Sequence, residues 1–163
     1  MTLNIKTVAQ LKHINVRKEG PEEDKVTAID LKLTGRVPSD FIDRLMVPDD
    51  EGGMTPTMAF WDADGDPRFL SMKDVGIYRE ILNVTANVEG LELTGCKVSK
   101  FSFRPLEQYQ AELTFGISTS TFPSNTIAVL AEQLHEVLTI QLWTPQGDLF
   151  NDDKKADKAE EIQ

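Results

Sequence analysis

The sequence predicts an α+β domain of mostly antiparallel β structure, either a sandwich or a curled sheet, with one or two short helices. Three observations lead there. Apolar and polar residues alternate over many short stretches, which is the period of a half-buried strand. Turn residues punctuate those stretches. The two stretches with helical spacing interrupt the strands and do not alternate with them, which argues against a parallel, doubly wound sheet.

Residues 11–18 alternate around Ile14 and Val16 and read as a first strand. Residues 19–24 form a turn punctuated by Gly20-Pro21. In residues 25–37, Ile29, Leu31 and Leu33 point one way, and Asp30, Lys32 and Thr34 the other. Residues 38–46 predict a short helix, with Ser39 as cap and Phe41, Ile42, Leu45 and Met46 on one side. Residues 57–61 and 68–70 read as short strands joined by a turn at Asp64-Gly65. Residues 71–79 read as a loop with a helical turn, and residues 80–88 as a strand. Residues 91–104 form a long strand whose parity slips twice, which predicts bulges, the first near Gly95. After a turn at residues 105–108, Tyr109, Ala111, Leu113, Phe115 and Ile117 alternate without a break, so the two segments should pair as a hairpin. A second helix opens near Ser124, with Thr121 or Ser124 as cap and Ile127, Leu130, Ala131 and Leu134 as its stripe. Val137, Ile140, Leu142 and Trp143 complete a last strand.

Residues 1–150 are expected to form one domain, and residues 151–163 a disordered polar tail without a core-forming pattern. Met1 to Lys6 have no apolar signal-peptide core, and no window approaches a membrane span. The single cysteine allows no internal disulfide and suits a reducing compartment. The net charge of −10 is concentrated. Residues 38–66 carry eight acids (Asp40, Asp43, Asp49, Asp50, Glu51, Asp62, Asp64 and Asp66) against Arg44 alone. The tail holds the remaining surplus, so the rest of the chain is neutral. Such a negative stretch favours basic partners and repels phosphates.

No catalytic, metal or cofactor pattern is found. His13 and His135 have no neighbouring triad motif, and no Gly-x-Ser-x-Gly or Walker sequence occurs. Cys96 alternates with Val98 as a packed strand thiol would. Asp62, Asp64 and Asp66 begin like a calcium loop, but Pro67 and Lys73 stand where that loop needs glycine and glutamate. Lys97, Lys100 and Arg104 interleave with Phe101 and Phe103, as in single-strand binders, and Lys25, Lys32 and Arg36 extend that basic face. The two phenylalanines also fit the core parity.

The stretches Asn15-Val16-Arg17-Lys18-Glu19, Val26-Thr27-Ala28-Ile29-Asp30-Leu31-Lys32, Gly90-Leu91-Glu92-Leu93-Thr94-Gly95-Cys96-Lys97-Val98 and Lys100-Phe101-Ser102-Phe103-Arg104-Pro105-Leu106-Glu107 resemble small proteins encoded by tailed phages and prophages. The likeness covers roughly residues 11–144. It implies a bacterial host cytoplasm during infection and transfers no functional residue. The expected function is that of a non-enzymatic accessory protein that binds a host or phage protein through its acidic surface. Inhibition of a host defence nuclease or nucleic-acid-binding complex is one form of this. The alternative is a single-stranded-DNA-binding or accessory factor in phage replication or recombination, and a scaffold role is a third. No membrane partner is expected.

Overall fold

A computed structural model describes residues 3–46 and 53–145. Its elements are β1 (Asn4–Glu19), β2 (Val26–Pro38), α1 (Ser39–Met46), α2 (Pro56–Phe60), β3 (Val75–Ile77), β4 (Ile81–Val88), β5 (Leu91–Leu106), β6 (Gln110–Thr119), α3 (Thr126–Glu132) and β7 (Val137–Trp143). The predicted class holds: the molecule is mostly antiparallel sheet with short helices. The curl goes to completion. Strands neighbour one another in the order β5-β4-β7-β1-β2-β6, and β6 pairs again with β5. Every pairing is antiparallel, so six strands close a barrel, and β3 joins β5 beside β4.

Alternation decides what fills the barrel. Leu31, Leu33, Val98, Phe103, Leu113, Ile117 and Ile140 point inward and are buried, while the polar residues between them face out. The first and last strands lie side by side, and their pairing runs from Asn4 with Trp143 to Gln10 with Val137. Just beyond it, Thr144 N donates to Leu3 O at 2.9 Å and Leu3 N donates to Thr144 Oγ1 at 3.1 Å. The β5–β6 hairpin forms as expected, with Phe103 opposite Leu113 and the Phe101 and Phe115 rings stacked at 6.4 Å. Both parity slips are real. Gly95 sits at φ +60° and Lys100 at φ +58°, and the β5–β6 register shifts between Ser99 and Ser102.

Long connections cover the two ends. The β2-to-β4 connection carries α1, α2 and β3 over the end where β2 finishes. There Phe41, Ile42, Leu45 and Trp61 are buried. Trp61 stacks on Phe103 at 6.1 Å and donates Nε1–H to Leu106 O at 2.8 Å. Tyr109 clasps this end. Its N donates to Gly65 O, its hydroxyl to Ala63 O, and its carbonyl accepts from Ser39 N. The opposite end carries α3.

Several local expectations are corrected. Residues 57–61, expected as a strand, form helix α2 and its C-cap. Thr55 Oγ1 accepts from Met58 N at 3.3 Å, and Pro56 opens the helix, so capping overrides β propensity. Residues 68–70 are not a strand. The Asp64-Gly65 turn is closed instead by an isolated Trp61–Pro67 bridge, and Phe69 and Leu70 stand exposed. Residues 71–79 contain β3. The hairpin turn lies at Glu107, Gln108 and Tyr109, later than expected, and Tyr109 sits in it at φ +56°. Ser39 is the first residue of α1, not the residue before it, and is buried. Asn125, not Thr121 or Ser124, precedes α3. That helix buries Thr126 and Leu130, while Ala131 and Leu134 face out. In β7, Val137 is exposed and Leu138 takes the inward place. The first strand begins at Asn4, seven residues before the stretch read as strand. The tail expected at residues 151–163 lies outside the described residues.

Candidate functional site

A broad concavity lies on the outer face of the barrel. It is a groove of about 740 Å³ built on β1, β2, β6 and β5. Register explains its floor. Outward positions of β6 meet outward positions of β2 and β5 in rows: Lys32, Gly116 and Ser99 form one, and Thr34, Thr114 and Ser102 the next. Small side chains keep the floor low. A Cβ at Gly116 would lie 3.5 Å from Ser99 O and 4.0 Å from Lys100 Cβ, so the glycine leaves open space beside that lysine. Thr34 Oγ1 and Thr114 Oγ1 hydrogen-bond at 3.0 Å.

Two bulges aim the rims. The β1–β2 register shifts between Leu11 and His13, which sets Lys12 outside the normal alternation. On the other side the β5 shift places Lys100 at the groove, exposed, in left-handed backbone. Of the three carboxylates that line the groove, Asp30 and Glu112 are matched, and the exposed Asp74 has no ion pair among the described residues. Asp30 accepts from Arg17 Nε at 2.8 Å and from Asn15 Nδ2 at 3.1 Å. The Arg17 hydrogen bonds hold its pKa down, at about 2, against the opposing effect of burial. Arg17 also pairs with Glu19, and its own pKa is raised by these two acids. Glu112 pairs with Arg104 at 3.0 Å. Lys12, Lys32 and Lys100, by contrast, have no ion pair among the described residues. The groove thus sets three lysines without ion pairs beside one carboxylate without one, Asp74.

This arrangement unites part of the basic face read from sequence. Lys32, Lys97, Lys100 and Arg104 share the outer face, with Lys97 bonded to Glu80 at 3.7 Å. Phe101 and Phe103 do not join them. They are 5% and 0% exposed and belong to the core, so they offer no stacking platform. Sequence reading missed Lys12, the position of His13 on the rim, and the floor of small residues.

The expected acidic site divides. Asp40, Asp43, Asp62, Asp64 and Asp66 all lie in the connection that covers one barrel end. Asp40 pairs with Arg44 at 3.1 Å. Asp43 accepts from Thr57 N and Thr57 Oγ1, both at 2.8 Å, and so ties α1 to α2. Asp62 accepts from Asp64 N and Asp66 N and shapes the turn. Asp64 and Asp66 are exposed, without an ion pair among the described residues. Asp49, Asp50 and Glu51 lie outside the described residues.

No group of three or more metal-ligating side chains exists among the described residues. Cys96 is fully buried, and desolvation pushes its thiol up to about 11, where the nucleophilic thiolate is scarce at neutral pH. His135 is exposed at φ +72°, and its N donates to Leu11 O at 2.7 Å. No helix among the described residues is long and apolar enough to cross a membrane. No protein-family model, curated protein or solved structure matches the chain significantly.

Proposed function

We propose that this chain is a non-enzymatic binding protein whose outer groove takes a single strand of nucleic acid, in the phage-infected bacterial cytoplasm that its sequence resemblance implies. One observation carries the reading: Lys12, Lys32 and Lys100, none in an ion pair among the described residues, surround a floor of small polar residues and outnumber the one unmatched carboxylate there, Asp74. Unpaired ammonium groups beside a shallow polar track suit a phosphodiester backbone. Asp40, Asp43, Asp62, Asp64 and Asp66 belong to the connection between β2 and β4 and do not line the groove, so the local field at the groove is not set by net charge alone.

The test is binding of a labelled single-stranded oligonucleotide across a salt series. Three neutralised phosphates give a slope of about −2 in log affinity against log salt. The double variant Lys32→Ala, Lys100→Asn should flatten that slope to about −0.7. Absence of binding at low salt, where electrostatics is strongest, rejects the proposal.

A second reading has its own support in Asp64 and Asp66, exposed and without an ion pair among the described residues. Their end of the barrel would dock on a basic surface of a host or phage protein, including a defence nuclease or another nucleic-acid-binding complex. Pull-down from infected cells with Asp64→Asn, Asp66→Asn distinguishes it. A partner retained equally by both forms counts against the acidic end.

A further inference from the structure

We propose that a second cavity, of about 520 Å³, is a base-binding subsite at the end of the groove, an inference that rests on the groove being a nucleic-acid track. The two hollows are neighbours on the sheet. Glu112 lines the groove, and its register neighbours on either side, Arg36 of β2 and Arg104 of β5, line the second cavity. A strand lying over β6 would run from the lysines to the arginines past Glu112, whose charge Arg104 meets at 3.0 Å.

The second cavity differs in chemistry from the first. Its outer wall is the segment after the Asp62–Asp66 turn, and it carries Phe69 and Leu70, 52% and 91% exposed. An exposed ring within the same cavity as two guanidinium groups offers a face for a base and charge for its phosphate. Arg36 has no ion pair among the described residues, and Arg104 shares Glu112 at 3.0 Å. The volume falls in the range of small-ligand pockets. Glu107 and Gln108 also line the cavity, and the stacking falls to Phe69 alone.

The experiment compares two labelled probes of equal length at low salt, a thymidine oligonucleotide and an abasic phosphodiester oligomer. The wild-type chain should prefer the thymidine probe about tenfold, as one stacked base warrants. Phe69→Ala should abolish that preference and leave affinity for the abasic probe unchanged. Phe69→Leu, which keeps the apolar bulk, should also lose most of it. A urea midpoint equal to wild type checks that each variant folds. Equal binding of both probes by the wild type overturns the subsite and leaves the groove reading standing. Loss of both probes together on Phe69→Ala also overturns it. Binding of neither probe removes both proposals. Sedimentation covers the remaining occupant: a wild-type dimer that Phe69→Ala converts to monomer assigns the patch to self-association instead.

Discussion

Trp61→Phe tests whether the end of the barrel is closed as described. Trp61 is 1% exposed, lies nearly parallel to Phe103 at 6.1 Å, and bonds the Leu106 carbonyl at 2.8 Å. A phenyl ring keeps the stacking and loses the N–H, which removes a hydrogen bond worth about 1 kcal/mol. It also leaves a void of roughly 40 Å³, which at about 24 cal/mol per Å³ adds about 1 kcal/mol. The expected loss is therefore about 2 kcal/mol, or roughly 4–8 °C in Tm for a domain of this size. Urea unfolding followed by far-ultraviolet circular dichroism measures it, with an unchanged m value. Trp143→Phe serves as the comparison, since Trp143 is only half-buried, and should cost less. A Trp61→Phe variant within about 0.5 kcal/mol of wild type would refute the role given to this ring.

Two further outcomes follow from single contacts. A Cβ at Gly35 would lie 2.7 Å from Val8 O and 3.0 Å from Ala9 Cβ, so Gly35→Ala should cost about 1–3 kcal/mol in the same urea assay. Gly116→Ala meets only ordinary contacts and should stay near wild type. Asp30 is held at about 2, below its unfolded value near 4, so its contribution is complete above about pH 4 and lost as pH falls towards 2. The stability gap between wild type and Asp30→Asn should be on the order of 1 kcal/mol at neutral pH and close across that window. A gap that is constant with pH would contradict the assignment.

Much of the fold is written in alternation. The period of two from Ala111 to Ile117 identifies β6 and its inward face, and the parity slip at Gly95 marks a real bulge. Alternation states which side of a strand is wet, but not which strand lies beside it. Closure of the barrel through β5 and β6 was therefore hidden, and so was the row that joins Lys32, Gly116 and Ser99 from three distant segments. Residues 57–61 misled because Thr, Phe and Trp favour strands, while the deciding signal, Thr55 followed by Pro56, lies just before them. The acids were visible as a cluster, but their bonds were not. Asp43 and Asp62 each accept two hydrogen bonds from nearby groups and serve the local architecture.

The meeting of β1 with β7 has a consequence for synthesis and for design. The ring stays open until residues near Thr144 have been made, because β7 alone joins β1 to β4. Such distant partners slow folding, and a nascent chain exposes the inner faces of its other strands until the last one arrives. The same adjacency brings Leu3 and Thr144 within hydrogen-bonding distance. A short peptide splice between them, with new termini opened in the exposed turn at Pro21 to Asp24, should keep every strand pairing and reverse the order in which the ring is sealed.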